Sequence, residues 1–569
     1  MSSHKQLLDN LRSVSKKYSI EIDGTLTLDA SLDELGISSI DVIRIISELE
    51  KIYKNKIDLA SVISESSPSI RKMFSRYIMP HSLAGKISQY ENCQDRRIFD
   101  PNGESLSYDE FFKLANHYAA NFERLLPRSS VIVVDLEKST SSVALIIACI
   151  ISNNGFCVLD RESPRERRLK IISKLNPAAI ISDVDYNESG ISTYSIAEIS
   201  KLESNPDCYR YPGNILFTSG STGEPKGVKL SFDALEAYVE SMLEIMPKRH
   251  GRWLSVSPLH FDIYQLDFLL QLSRGMDIVI APSKSLPQQI LYYLNQYSID
   301  ETILISTTMK MICSVYSSHA SLCESLRVLY YGAESCPVST LEDISKKFPN
   351  AEFCQFYGPT ENTNNSTFYR FTKPFHTNTG FMPLGATIKN TKISLIDENG
   401  SKIDTPNIVG QIRLTGSQLM DGYLGTFEEE CRVPVKLNKY DTGDYAYFDE
   451  HGVIWFQGRK DDLVKLRGNR ISLQEIEIAL VTSFSGIDHA VPFVHDVDGV
   501  SRLFLAYTGC DIELKEIRKS LRAKLPRYGV PDYILFISDS DIKYLSTGKL
   551  DKKYIVNHML KKLSIGEAA

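Results

Sequence analysis

The sequence predicts a multidomain chain: a small helical N-terminal unit, a large α/β core with mostly parallel sheets, and a smaller α+β unit at the C-terminal end. Three observations predict it. At about 150 residues per domain, 569 residues amount to roughly four domain equivalents. The first eighty residues carry almost no strand pattern. From residue 84 to about 455, short apolar runs alternate with amphipathic stretches, the pattern of strand and covering helix.

In the N-terminal unit, Ile40, Ile43, Ile46, Leu49 and Tyr53 recur at helical spacing, flanked by Val42, Ile45 and Ile52. A Ser-rich stretch with Pro68 follows, then a short helical segment to about Tyr77, and Met79-Pro80-His81 reads as a linker. The core strands are Val131–Val134, Ala179–Ser182, Ile215–Phe217, Ile278–Ile280 and Val328–Tyr331. From about residue 460 the pattern shortens, with strands near Ala490–His495 and Leu503–Thr508. There is no internal repeat and no long low-complexity segment.

Composition excludes several classes. Apolar residues at 43% and charged residues at 24% rule out a fibrous or disordered chain. The formal charge of −7 is nearly neutral for this length, so nucleic acid is not an expected partner. The ten cysteines never approach closer than eight residues, with no C-x-x-C and no H-x-x-x-H, which argues against structural zinc and a dense disulfide framework. Met1-Ser-Ser-His4-Lys-Gln6 has no signal-peptide core, and the longest apolar run, Val143–Ile151, is too short to span a bilayer. A cytoplasmic protein without a membrane partner is expected.

Leu35-Gly36-Ile37-Ser38-Ser39-Ile40-Asp41 opens the first well-marked helix. A serine there is a good N-cap, with Asp41 favouring the helix dipole. The same string, in an eighty-residue helical unit, resembles acyl and peptidyl carrier proteins. The resemblance implies a four-helix carrier domain whose 4′-phosphopantetheine is carried on the Ser39 hydroxyl and installed by a phosphopantetheinyl transferase. Ser38 stands where that family usually has Asp. Asp33, Glu34, Asp41, Glu48 and Glu50 outnumber Arg44 here, an acidic face that suits a basic modifying enzyme and equally a solvated surface.

From Asn214 to Val228 an apolar strand runs into Thr218-Ser219-Gly220-Ser221-Thr222-Gly223-Glu224-Pro225-Lys226-Gly227. Glycines let backbone N–H groups turn toward phosphate oxygens, hydroxyls add donors, and Lys226 adds charge. The Walker A order is absent. This string resembles the signature of adenylate-forming enzymes, the superfamily of acyl-CoA synthetases, nonribosomal peptide synthetase adenylation domains and luciferase. Further stretches follow in that superfamily's order: Leu106–Glu110, Val158–Arg167, Ser257–Asp262, Gly332-Ala333-Glu334, Tyr357–Glu361, Asp441–Asp444, Gly458–Asp461, Gly468–Glu477 and Ser546–Lys549. The resemblance implies a large α/β adenylate-forming core and a small α+β C-terminal lid, with the carrier at 1–78, the core at 84–458 and the lid at 459–569.

It also implies the chemistry. A carboxylate attacks the α-phosphorus of ATP to give acyl-adenylate and pyrophosphate; a thiol then takes the acyl group and AMP leaves. An anion must approach a polyanion, so positive charge and Mg²⁺ are needed. By carry-over, Lys549 is the central cation, although Thr547-Gly548-Lys549 is also a plausible hairpin tip. Glu361 holds Mg²⁺, although Pro-Thr-Glu is also a common helix start. Thr218 to Gly223, Lys226, Gly332, Ala333, Glu334, Gln355, Phe356, Tyr357, Gly358 and Thr360 surround the nucleotide. Asp444 and Arg459 serve ribose and phosphate; a turn Asx residue and a surface ion pair are the plain alternatives. His260 either orients the acid or is a core histidine. Asp461 marks the hinge.

Asp262 stands where relatives that activate amino acids place a carboxylate against the substrate ammonium, a partner such a buried cation requires; a loop aspartate is the plain alternative. Ile263, Leu266, Ile305, Leu329, Tyr331, Phe356, Asn364 and Asn365 would line the acid pocket. Large Tyr331 and Phe356 suggest a small side chain, and Asn364 with Asn365 a polar one. The expected function is ATP-dependent loading of an amino acid onto the phosphopantetheine of a carrier protein, the fused one at Ser39, in cis or in trans, for downstream enzymes of a nonribosomal-peptide type. An acyl-CoA or aryl-acid ligase and a non-catalytic nucleotide-binding scaffold are the alternatives. Unusually for such assembly lines, the carrier precedes the adenylation region.

Overall fold

In the computed structural model the described residues are 3–18, 20, 35–53, 82–219, 225–246, 250–283, 285–316, 321–375, 377, 380–425, 438–459, 463–466, 469–497, 500–525, 529–545 and 549–563. They fall into two compact units between which the chain passes several times. The first holds residues 1–250, 259–283 and 420–436; the second holds 251–258, 284–419 and 437–569.

The first unit begins with helices Ser3–Lys17 and Ser39–Tyr53. Leu11 and Val14 of the first helix are buried; in the second, Ile46 of the expected stripe is buried with its flanks Val42 and Ile45, whereas Ile43 of that stripe is exposed, so the buried face is turned toward the flanking residues. Glu48 joins the two helices by accepting from Lys17 at 2.6 Å and from the Tyr18 hydroxyl at 2.9 Å. Those bonds and one from Lys51 hold its carboxyl down at about 2. The expected elements between residues 54 and 81 lie outside the described residues, so two helices of the expected four are described.

A six-stranded sheet follows, in spatial order 193–194, 179–182, 131–135, 155–158, 213–219 and 225–231. The first five run parallel and the last is antiparallel. Strands Val131–Asp135, Gly155–Val158 and Ala179–Ser182 are buried at every position, which is why they read as continuous apolar runs. Capping boxes fix the helix starts at Ser107–Glu110 and Ser139–Ser142. The apolar run Val143–Ile151 lies in helix Thr140–Ile151, buried against this core. Residues Gln265–Leu270 form a π-helical turn, fully buried and closed by Gly275 at φ +74°.

In the second unit, strands 252–255, 301–303, 328–331 and 352–357 are parallel neighbours, and 367–371 and 386–387 extend them antiparallel. A five-stranded antiparallel sheet, in order 402–403, 391–396, 410–416, 440–448 and 454–459, packs around Leu395, Ile412, Leu414 and Ala446. The last hundred residues form the expected smaller α+β pattern. Strands Ile487–Val497, Val500–Gly509 and Tyr533–Phe536 pair in that order, with helices 473–481, 514–524 and 552–562 packed on them. Among the described residues no helix is long and apolar enough to cross a membrane.

Candidate active site

The sequence-predicted residues divide between the two units. In the first, strand Gly213–Ser219 delivers Thr218 and Ser219 to the end of a hairpin, and strand Pro225–Ser231 returns with Lys226 directly across from Thr218. Gly220 to Glu224, which include the phosphate loop's Ser221, Thr222 and Gly223, lie outside the described residues. The Lys226 ammonium sits 3.4 Å from the centroid of the Tyr423 ring.

His260, Asp262 and Ile263 lie on the turn into the π-helix, and Leu266 lies within it. Leu266 is buried, whereas Asp262 and Ile263 are half-buried. The Asp262 carbonyl accepts from the Gln265 N–H at 3.0 Å. His260 is mostly buried, its Nε2 3.8 Å from an Asp160 oxygen and beyond hydrogen-bond distance. Burial pushes its pKa below the ordinary value, opposed by the Asp160 carboxylate, so the ring is neutral at pH 7. Asp160 belongs to the early motif Val158–Arg167, so two stretches a hundred residues apart meet here. Tyr264 closes the same region, its hydroxyl accepting from Asn214 at 3.0 Å.

The second unit gathers most of the rest. Strand Val328–Tyr331 ends at Gly332-Ala333-Glu334, and neighbouring strand Glu352–Tyr357 ends at Gly358. Both glycines are sterically required: a Cβ at Gly332 would meet the Phe356 carbonyl oxygen at 2.7 Å, and one at Gly358 the Asn364 carbonyl oxygen at 1.8 Å. Tyr331 is buried and donates to Gln355 Oε1 at 2.8 Å; Phe356 stacks on Tyr330 at 5.3 Å. Glu334 accepts from the backbone N–H and the hydroxyl of Thr307, at the start of helix Ser306–Val315. Ile305 is the residue before that helix. Thr360 and Glu361 lie in a short 3-10 turn, and Asn364 and Asn365 are buried just beyond it.

Asp444 corrects the plain reading of a turn Asx residue: it lies within strand Tyr440–Phe448 and is 4% exposed. Its Oδ2 accepts from the Tyr357 hydroxyl at 2.6 Å, and its Oδ1 is 3.3 Å from Arg459. Burial, then the Asp444 charge, raises the Tyr357 pKa, so the phenol stays a donor. Lys549 is part of a hairpin, its carbonyl accepting from Leu545 N–H at 2.8 Å, and its ammonium donates to the Ala333 carbonyl at 2.9 Å. Cys336 and Cys354, beside Tyr331, are pushed up to about 12 by burial and remain thiols. The side chain of Ser39 and the residues Asp461 and Gly468 lie outside the description.

Three partners were not read from the sequence: Thr307 for Glu334, Tyr423 for Lys226, and the buried pair Lys138–Asp267. A Ser-Thr-Thr helix start was a usable signal for the first. The other two join segments far apart in the chain.

Residues 88–424 match the family model of AMP-binding enzymes, and residues 12–74 match that of the phosphopantetheine attachment site. The chain is 27% identical to a D-alanine–D-alanyl carrier protein ligase of Bacillus licheniformis, over 83% of this chain and 98% of that one. It is 27% identical to a dimodular nonribosomal peptide synthase of Bacillus subtilis, over 82% of this chain and 21% of that far longer relative. Its fold matches an o-succinylbenzoate coenzyme A synthetase of Bacillus subtilis solved with ATP and magnesium ion, with TM-score 0.69 at 17% identity, over 84% of this chain and 99% of that one. An anthranilate CoA ligase bound to anthranoyl-AMP matches with TM-score 0.71 at 15% identity, over 85% and 98%. The chain belongs to the AMP-binding enzymes of the adenylate-forming superfamily, with a phosphopantetheine attachment segment ahead of that region.

Proposed function

We propose that the protein activates an amino acid as aminoacyl-AMP and transfers it to the 4′-phosphopantetheine thiol of a carrier, the fused one at Ser39. The observation that carries the reading is the group Lys549–Ala333 and Tyr357–Asp444–Arg459. A cation at a strand-end loop and a buried carboxylate flanked by a phenol and a guanidinium suit a phosphorylated sugar and an anionic reaction centre. Asp444 is the acceptor for the ribose hydroxyls, Arg459 a donor to ribose or phosphate, and Lys549 the cation between carboxylate and phosphate.

The donor set fits the implied cofactors. Among the described residues no cluster of three or more His, Cys, Asp or Glu could hold a metal. A single carboxylate ligand, that of Glu361, suits Mg²⁺, which keeps several waters and binds chiefly phosphate oxygens in such sites. Mg²⁺ supplies charge neutralisation at the phosphates, and phosphopantetheine supplies the accepting thiol. Asp262 is the partner of the substrate ammonium, with His260 beside it as a neutral orienting group. Tyr331 and Phe356, both committed to internal packing, favour a small side chain, as do relatives named for D-alanine. Asn364 favours a polar one. We assign residues 1–78 to the carrier, 84–458 to the core and 459–569 to the lid, in a cytoplasmic protein served by a phosphopantetheinyl transferase and by downstream enzymes.

The test is carboxylate-dependent exchange of labelled pyrophosphate into ATP, across amino, aryl and aliphatic acids. Exchange with one small or polar amino acid is expected. Exchange only with acids lacking an amine would overturn the role of Asp262, and silence across the panel would favour a non-catalytic nucleotide binder.

A further inference from the structure

The strand that returns from the phosphate loop has a second neighbour. Residues 421–424, which belong to the first unit although their sequence neighbours up to Leu419 belong to the second, lie along it antiparallel. Asp421 N–H donates to the Lys229 carbonyl at 2.9 Å, Lys229 N–H to the Gly422 carbonyl at 3.0 Å, and Leu424 N–H to the Gly227 carbonyl at 2.8 Å. The contact is close: a Cβ at Gly227 would meet Leu424 Cβ at 3.0 Å and Phe217 Cζ at 3.1 Å. Asp421 also accepts from the Tyr211 hydroxyl at 3.1 Å, and buried Lys229 faces the Tyr211 ring at 6.0 Å. The backbone around Lys226 is therefore fixed from both sides, by strand Gly213–Ser219 and by this segment.

What remains free on an exposed lysine is its four-carbon stem, which has many rotamers to lose. Here the ammonium lies over the Tyr423 ring, 3.4 Å from its centroid. A ring face attracts a cation without consuming it as a hydrogen-bond partner would, so the ammonium's N–H donors stay available to oxygens on the other side.

We propose that Tyr423 is a positioning residue that holds the Lys226 ammonium ready for the phosphate chain of the nucleotide. The inference rests on the reading of Lys226 as a phosphate contact. Tyr423 acts through the lysine and through its ring, so the hydroxyl is dispensable to this role.

The experiment measures ATP dissociation constants by equilibrium titration on the full chain, together with the amino-acid KM in pyrophosphate exchange, for wild type, Tyr423→Leu and Tyr423→Phe. Tyr423→Leu is expected to weaken ATP about tenfold while the amino-acid KM stays within about twofold. Tyr423→Phe is expected to retain most of the ATP affinity. In a Lys226→Met background, Tyr423→Leu should weaken ATP no further. Should Tyr423→Leu fail to fold, Tyr423→Met, which also lacks a ring, takes its place. ATP affinity unchanged in the ringless variant, an equal loss in the Phe variant, or a full further loss in the Lys226→Met background would overturn the role of Tyr423. Wild-type protein that binds no ATP would overturn the nucleotide reading beneath it as well.

Discussion

The ammonium of Lys549 donates to the carbonyl oxygen of Ala333 across 2.9 Å, and Ala333 holds that carbonyl in place with a left-handed backbone at φ +65°. A residue with a Cβ costs about 1 kcal/mol or more in that conformation, a strain typical of sites where a backbone group is aimed. The lysine that sequence order marks as the central cation is thus docked on the loop that ends a core strand, 216 residues away along the chain.

Lys549→Ala should therefore lower pyrophosphate exchange about 10²–10³-fold, the effect of losing one preorganised charge at a developing anion. ATP affinity should stay within about threefold, and stability should barely change for a half-exposed side chain. Exchange rates with saturating substrates, beside an ATP titration, check both.

Tyr357→Phe removes the phenol that donates to buried Asp444 at 2.6 Å and leaves the carboxylate with Arg459. Hydrogen bonds to buried charges contribute about 1.5–3 kcal/mol. A drop of about 2 kcal/mol in unfolding free energy is expected, with roughly tenfold weaker nucleotide binding, read by urea titration and by ATP dissociation constants.

Lys138 and Asp267 are both buried, and burial pushes the lysine down to about 8 against the opposing pull of the Asp267 charge. Lys138→Met takes away a buried positive charge that acts on Asp267. Lys138→Met should destabilise the protein by about 3 kcal/mol, and the double change Lys138→Met with Asp267→Leu should recover most of it. Denaturant midpoints of the two variants decide the matter.

Much of the fold was legible because its strands are local events. Val131–Asp135, Ala179–Ser182 and Val328–Tyr331 are continuous apolar runs since both sheet faces are covered. The helix starts at Ser39 as expected, but the capping serine is Ser38, whose Oγ accepts from the Asp41 N–H at 3.3 Å. The motifs that mark the site were legible as ordered strings. Hidden from that reading was whatever depends on register between distant segments: the 421–424 strand beside Lys229, the aromatic partner of Lys226, and Asp444 in a strand where Thr-Gly-Asp suggests a turn. Periodicity reports which face a residue takes; it carries no information about which segment lies next to it. The π-helical turn at Gln265–Leu270 was equally invisible, since one extra residue in a fully buried turn leaves no polar face to mark the change.

His489 carries a pH signature. Burial first, then the positive charges of Lys310 and Lys552, push it down to about 3 from an ordinary 6.5, with the Tyr544 ring 6.3 Å away. Between those values the unfolded chain binds a proton that the folded one does not, so stability falls as pH drops from 6.5 toward 3. The slope due to this group is up to about 1.4 kcal/mol per pH unit. Urea unfolding at pH 7 and pH 5 should show His489→Gln losing about 2 kcal/mol less than wild type.

The measurement that bears most directly on the central claim is the intact mass of the chain after treatment with a phosphopantetheinyl transferase, and again after ATP, Mg²⁺ and an amino acid that supports exchange. The account expects one phosphopantetheine on Ser39, then one aminoacyl group on its thiol, both lost in Ser39→Ala while pyrophosphate exchange persists. A chain that exchanges pyrophosphate yet gains no phosphopantetheine at Ser39, or takes it up and never carries the amino acid even when a second holo copy is supplied, would contradict it.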